Sequence, residues 1–148
     1  MLVSEILRIK GTVLFTTPPD APLLDAVKVM AQHDIGSLVV MDHGKMAGIV
    51  TFAEVLRALA DRNGTLDELK TSAIVARDPM TAAPTIDVNE LRRAMLERHA
   101  RYVPVMDGTT LLGVVSFHDV AKAVLEEQSF ENRMLKNYIG DSPDVGPQ

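Results

Sequence analysis

The heptapeptide GIVTFAE at residues 48–54 recurs in related form as GVVSFHD at residues 113–119. The two copies lie 65 residues apart, and the same offset aligns further residues without a gap. These further pairs are Thr16 with Thr81, Pro19 with Pro84, Met30 with Met95, and Val40-Met41-Asp42 with Val105-Met106-Asp107. A gapless match of this kind indicates that the chain contains two copies of one structural unit.

Each unit has the pattern of two helices on either side of a hairpin, preceded by a short extended segment. Apolar residues at helical spacing, such as Leu23, Ala26 and Met30, predict the first helix. Two nearly continuous apolar runs joined by a turn then predict a hairpin covered on both faces. In the first unit the extended segment is Val13–Thr17, the hairpin strands are Ser37–Met41 and Ala47–Val50, and the closing helix is Phe52–Ala60. In the second unit the extended segment is Met80–Ala82, the hairpin strands are Tyr102–Met106 and Leu111–Val115, and the closing helix is Phe117–Glu127. Each unit is therefore predicted to be a β-α-β-β-α repeat, which gives an α+β fold.

Helix-end signals refine this prediction. Asp20 is expected to cap the first helix, and Asp87 with Glu90 indicates an acidic capping box at its counterpart in the second unit. The charged stretch Asp61–Lys70 is predicted to be a solvated connector between the units, and Leu66–Ser72 is expected to form a short helix that leads into the second unit.

The sequence predicts four consecutive segments. Residues 1–64 are the first repeat with its connector, and residues 65–127 are the second repeat. Residues 128–140 are predicted to continue the last helix, because Phe130, Met134 and Leu135 follow helical spacing. Residues 141–148 are expected to form a disordered tail rich in proline and glycine.

Composition narrows the functional class. The chain has no cysteine, so disulfides, thiolate metal sites and thiol nucleophiles are excluded. A net charge of −5 gives no overall attraction to nucleic acid or to anionic membranes, and no apolar run is long enough to span a bilayer. We therefore expect a cytoplasmic protein that interacts with neither. The four histidines lack ligand-like spacing, so no metal site is predicted.

Two β-α-β-β-α units with this repeated heptapeptide resemble a pair of cystathionine-β-synthase (CBS) domains. The resemblance covers about residues 1–127 and implies two units related by a pseudo-two-fold axis. It also implies a non-catalytic regulatory module that requires no cofactor and binds an adenine nucleotide or related adenosyl ligand between the units: AMP, ADP, ATP, NAD or S-adenosylmethionine. Such pairs commonly form homodimers, and a module without an attached enzyme is expected to act through an unidentified protein effector or its own assembly.

The resemblance implies a better site built mainly on the second unit. Ser116 begins a helix whose N-terminus favours a phosphate, and Asp119 accepts hydrogen bonds from the ribose hydroxyls. Arg101 is expected to clamp the phosphate, because its planar fork donates two bonds at once. The remaining expected contacts are His118, Phe15, Thr16, Ile35 beside the adenine, and Lys10 near the phosphate.

A second, weaker site is implied by the pseudo-symmetry. It comprises Thr51, Glu54, Met80, Thr81 and Ala100. Glu54 stands where the family usually has aspartate, and a glycine occupies the position equivalent to the clamping arginine. Both departures are expected to weaken nucleotide binding there.

Structural alternatives stand beside these assignments. Ser/Thr followed three residues later by Asp/Glu is also a helix capping box, so both heptapeptides have a purely structural explanation. A dimerisation module with relic nucleotide sites is the main alternative function. An enzyme is the third, although the sequence contains no P-loop, dinucleotide fingerprint or nucleophile–base pair.

Overall fold

The computed structural model describes residues 1–11 and 13–140. The helices are α1 (Val3–Lys10), α2 (Leu23–Gln32), α3 (Phe52–Asp61), α4 (Val88–Arg98) and α5 (Phe117–Gly140). The strands are β1 (Thr16–Thr17), β2 (Ser37–Asp42), β3 (Lys45–Thr51), β4 (Tyr102–Asp107) and β5 (Thr110–Ser116). This arrangement confirms the predicted α+β fold with two repeats. The predicted disordered tail, residues 141–148, lies outside the described residues.

The two hairpins are near copies of each other. β2 pairs antiparallel with β3 in the register Ser37↔Thr51, and β4 pairs with β5 in the register Tyr102↔Ser116. Each hairpin shifts register at the same point, between Val40 and Met41 and between the corresponding residues of β4. The 65-residue offset therefore holds for the hydrogen bonding as well as for the sequence.

The early extended segments differ in length between the repeats. β1 pairs parallel with β2 through Thr16↔Val39, so the first repeat has a three-stranded sheet. In the second repeat the segment is reduced to a single bridge, Ala82↔Val105, and the sheet has two strands. Ala82 still exchanges two backbone hydrogen bonds with β4, at 3.0 and 2.8 Å, and its side chain is buried.

The prediction that Asp20 caps the first helix is wrong. The residue before α2 is Pro22, and no side chain caps the helix there. The N–H of Leu23, at the start of the helix, instead donates to the carbonyl of Leu69 at 2.8 Å. A backbone acceptor from the connector thus satisfies a group that a side-chain cap would otherwise serve.

Asp87 caps α4, as predicted, by accepting from Asn89 N at 2.9 Å. The reciprocal bond from Glu90 that completes a capping box is not formed within the described part of the chain. The backbone around Asp87 pairs with Leu2 in an antiparallel bridge, and the N–H of Val88 donates to the carbonyl of Met1 at 2.9 Å. The N-terminal segment therefore satisfies part of this helix end.

Helix α1 was not predicted, and it packs on the second repeat although it precedes the first. Val3 and Ile6 are buried in one core cluster with Leu91, Met95 and other residues of the second repeat. A clear amphipathic spacing is present in this stretch, but the sequence does not show which repeat it contacts. The N-terminal residues therefore complete a core that begins some 80 residues later in the chain.

The segment between the two repeats completes the core of the first repeat, as α1 completes the core of the second. Leu66, Leu69 and Ile74 pack against the core of the first repeat. The prediction of a short helix at Leu66–Ser72 is wrong, because the only helical turn in this stretch is a 3₁₀ turn at Thr71–Ala73. Thr71 is fully buried, and both its N–H and its hydroxyl donate to the carbonyl of Ala21 at 2.9 Å. These long-range bonds replace the local bonds that a helix would require.

Candidate functional site

The β5–α5 junction forms a closed capping box. Asp119 N donates to the hydroxyl oxygen of Ser116 at 3.0 Å, and Ser116 N donates to Asp119 Oδ2 at 2.9 Å. The structural role of this pair is therefore present. It does not use up the carboxylate, because Asp119 Oδ1 receives no hydrogen bond from the described residues.

Lys10, at the end of α1, also contacts this carboxylate. Its Nζ donates to Asp119 Oδ2 at 2.7 Å and to the carbonyl of Val114 at 3.0 Å. Burial raises the pKa of the Asp119 carboxyl, but the hydrogen bonds from Lys10 and Ser116 outweigh burial and hold that pKa below its usual value. The stabilisation from these contacts is thus present above the usual pKa of an aspartate and is lost as the pH falls through the lowered value.

Arg101 lies across the cleft from the first repeat. It is exposed, and its guanidinium carbon stands 5.2 Å from the centre of the Phe52 ring, in cation–π geometry. The neighbouring Tyr102 meets the same ring edge-on, with centroids 6.2 Å apart. Phe52 therefore holds two consecutive residues of the second repeat at the cleft.

Tyr102 also explains the glycine at the position equivalent to Arg101. A Cβ placed on Gly36 would collide with the Tyr102 hydroxyl. A side chain at this position is thus incompatible with the tyrosine as it lies, so the pseudo-symmetric partner of Arg101 is absent for a packing reason.

These elements enclose a cavity of about 780 Å³ between the two repeats. Ligand pockets in proteins are typically about 300–1,000 Å³, so the space suits a nucleotide-sized molecule. The predicted site residues that line it are Lys10, Phe15, Ile35, Arg101, Ser116, His118 and Asp119. Thr16, which was also predicted, lies exposed in β1 and is not among the lining residues.

Several lining residues were missed by the sequence reasoning. Phe52 and Tyr102 contribute to the cavity wall, as does Leu112 of β5. The sequence did hold a signal for Phe52, since it is the counterpart of Phe117 in the repeated heptapeptide. Its contact with Arg101 depends on how the repeats face each other, which the sequence does not show.

The second predicted site differs because its carboxylate is fully engaged. Both oxygens of Glu54 accept from the Thr51 hydroxyl, at 3.2 and 3.1 Å. Arg57 donates to Oε2 at 3.0 Å, and Thr51 N donates to Oε1 at 3.1 Å. Of the other residues predicted here, Met80 and Ala100 pack against the core of the second repeat and Thr81 is exposed. At this junction the capping role accounts for the Thr51–Glu54 pair.

The connector adds to this difference. Ala76 and Ile49 exchange two backbone hydrogen bonds, at 2.9 and 3.0 Å. A Cβ on Gly48 would meet the carbonyl of Ala76, so glycine permits this close approach. Val75 is the counterpart of Lys10 at the 65-residue offset. At the β3–α3 junction, an apolar residue and the backbone of Ala76 therefore take the place that Lys10 has at the β5–α5 junction.

Within residues 1–11 and 13–140, no cluster of His, Asp and Glu side chains has an arrangement that suits a metal ion. None of the helices in the same residues combines the length and the apolar character that a membrane crossing requires.

Comparison with known proteins identifies the family. The sequence model for the CBS domain matches the chain twice, at residues 3–61 and 72–126. The CBS domain-containing protein CBSX3, mitochondrial, of Arabidopsis thaliana is 31% identical over 147 residues, which cover 93% of this chain and 71% of that protein. A CBS-domain containing protein from Agrobacterium tumefaciens has a similar crystal structure, with a TM-score of 0.79 and 27% identity over 83% of this chain and 98% of that one.

A further similar structure contains bound ligands. The CBS domain pair of protein MJ0100 was crystallised in complex with 5′-methylthioadenosine and S-adenosyl-L-methionine. It matches with a TM-score of 0.73 and 27% identity over 86% of this chain and 98% of that chain. This structure has the same fold as the repeats described above. The two matches to the CBS domain model show that the chain belongs to the CBS domain family and is a tandem CBS domain pair.

Proposed function

We propose that this protein is a non-catalytic regulatory module that binds an adenosyl ligand in the cavity between its repeats. The observation that carries the proposal is the cavity itself, which is lined both by Asp119, in the first turn of α5, and by Arg101, whose carbonyl accepts from the N–H of Phe117 at the start of that helix. The similarity to the ligand-bound pair of protein MJ0100 supports the adenosyl class. The candidates are AMP, ADP, ATP, NAD and S-adenosylmethionine.

The chemistry of the cavity wall fits the three parts of such a ligand. Asp119 Oδ1, which no described residue occupies, accepts from the ribose hydroxyls. The N-terminus of α5 and the fork of Arg101 attract a phosphate or, for S-adenosylmethionine, a carboxylate. Phe15 and Ile35 offer apolar surface to the adenine. The protein's role is binding, and the response passes to a protein effector or to its own assembly.

Replacing Asp119 with asparagine tests this proposal. Asparagine keeps an oxygen that can accept from Ser116 N, so the start of α5 is preserved. It loses the charged acceptor for the ribose, which contributes on the order of 1–3 kcal/mol. Isothermal titration calorimetry on ligand-stripped protein is expected to show adenosine and AMP weakened to a similar degree, about tenfold or more.

Glu54→Gln is the matched control in the other repeat, and the affinity of the main site should not change. If the unmodified, stripped protein binds no adenosyl ligand, the proposal fails and a relic-site dimerisation module is favoured. Unchanged affinity in Asp119→Asn would show that the carboxylate does not bind the ribose.

A homodimer is the assembly that the surface favours. Helix α5 carries four apolar side chains that are each more than half exposed, Leu125, Phe130, Met134 and Leu135, and the last three follow one another at helical spacing. Apolar side chains that recur along one helix are typical of an association surface. We propose that a second copy of the chain covers this helix.

Truncation after Glu127 tests the proposed dimer. Removing the exposed end of α5 should convert the dimer to monomer, because three of these four apolar side chains are lost. Light scattering at tens of micromolar protein measures the change. The matched control is truncation after Gly140, which leaves α5 intact and should leave the dimer intact. A dimer that persists after truncation at Glu127 would show that the terminal helix is not required.

A further inference from the structure

Lys10 occupies an unusual place for a residue of the N-terminal helix. Helix α1 is anchored in the second repeat by Val3 and Ile6, and its last turn points at the β5–α5 junction. The helix ends at Gly11, whose N–H donates to the carbonyl of Leu7 at 3.0 Å. This anchoring delivers the ammonium group of Lys10 to the wall of the cavity.

The partner of Lys10 is the carboxylate that the proposed function assigns to the ribose. Asp119 Oδ2 already accepts from Ser116 N at 2.9 Å and from Lys10 Nζ at 2.7 Å. Only Oδ1 is left without a donor among the described residues. A ribose that engages both carboxylate oxygens must therefore compete with Lys10 for Oδ2.

The ion pair between Lys10 and Asp119 is partly exposed, so a ligand can displace it. The Lys10 side chain is 44% exposed and that of Asp119 is 21% exposed. A pair with this exposure is partly screened by water and contributes little to stability. A ligand can therefore displace the ammonium group at small cost, provided that the ligand gains the carboxylate.

The fate of the displaced ammonium group depends on the charge of the ligand. A neutral adenosyl ligand such as adenosine offers Lys10 no new charged partner. A ligand with a phosphate at the N-terminus of α5 offers an anion close to the same junction. The loss of one ion pair is then offset by the formation of another, because lysine binds phosphate as a point charge.

We infer that Lys10 is an internal competitor for the ribose carboxylate that selects anionic adenosyl ligands over neutral ones. The inference rests on the proposed function and adds a selectivity device to the same site. With a nucleotide, Lys10 exchanges one anion for another at the same junction, whereas with a neutral ligand it loses its charged partner.

Replacing Lys10 with methionine separates the two effects. Adenosine is expected to bind about threefold to fivefold more tightly, because a partly exposed ion pair no longer competes for Asp119. AMP is expected to bind about threefold to fivefold more weakly, because the new partner for its phosphate is lost. The ratio of AMP to adenosine affinity therefore falls about tenfold or more, as measured by calorimetry with the full chain.

Arg8→Met is the matched control. It removes one positive charge from an exposed position on the same helix, and Arg8 does not line the cavity. The affinity ratio should not change in this variant. A lysine-to-arginine change at residue 10 keeps the charge and should keep the preference for AMP.

Two outcomes overturn the inference in distinguishable ways. If the unmodified protein binds both ligands and Lys10→Met leaves their affinity ratio unchanged, the competition is absent while the proposed function stands. If the unmodified protein binds neither ligand, the proposed function and the inference fall together.

Discussion

Replacing Arg101 with alanine is expected to weaken AMP binding by about 10- to 100-fold while leaving adenosine binding nearly unchanged. Arg101 lines the cavity between the repeats, and its guanidinium carbon stands 5.2 Å from the centre of the Phe52 ring. Hydrogen bonds to charged groups contribute about 1.5–3 kcal/mol, and each 1.4 kcal/mol corresponds to a factor of ten. Adenosine has no phosphate, so it loses none of these bonds. Calorimetric titration with both ligands measures the difference.

The controls for this experiment separate charge from geometry. Arg101→Lys keeps the charge but loses the planar fork, and an intermediate loss for AMP is expected. The arginine also holds Phe52 at the cleft, so a purely structural role is the competing explanation. Equal losses for AMP and adenosine in Arg101→Ala would establish that structural role and refute the phosphate contact.

Separating the chain after Gly64 is expected to leave neither half cooperatively folded. The first half has 64 residues, a size at which a single core is marginal, and the second half has 84. The structure adds a stronger reason, because each core is completed by a segment from the other half. Cutting at residue 64 removes Leu66, Leu69 and Ile74 from the first core and deprives the second core of Val3 and Ile6.

Chemical denaturation and NMR spectra of the separate fragments test this expectation. Residues 1–64 alone should give a poorly dispersed spectrum and no cooperative transition. Mixing or co-expressing the two fragments should restore both, because the exchanged segments are then present together. A cooperative transition and a dispersed spectrum for residues 1–64 alone would show that the repeats are independent domains.

The sequence predicted the repeated part of the fold because its signals are local. The hairpins and the helix starts at Thr51 and Ser116 depend on neighbouring residues, and the repeat doubles each signal. The continuation of α5 beyond Glu127 also follows from local spacing. These features need no knowledge of how the two repeats face each other.

The incorrect or missing predictions all concern contacts between distant segments. Asp20 was a reasonable cap, but the carbonyl of Leu69 reaches the start of α2 instead. The connector was expected to form a helix, but Thr71 is held by Ala21. The amphipathic spacing of α1 was overlooked, and its contact with a core formed much later in the chain has no local signal. Such pairings are set by tertiary packing, and no local pattern encodes them.

The candidate site shows the same division. The resemblance to CBS pairs predicted Ser116, Asp119 and Arg101 as site residues, and all three line one cavity. The position of Lys10 against the carboxylate, rather than near a phosphate, depends on the path of α1. Phe52 was overlooked because its function at the cleft arises from a contact across the two repeats.

The most direct test of ligand binding in the cavity is amide chemical-shift mapping of the ligand-stripped protein during parallel titrations with AMP and S-adenosylmethionine. If the cavity binds an adenosyl ligand, at least one titration should saturate. The largest shifts should then fall at Arg101, at residues 116–119 and at Lys10, while the amide of Glu54 is little affected. No saturable shifts with either ligand, or shifts confined to residues outside the cavity, would contradict the account.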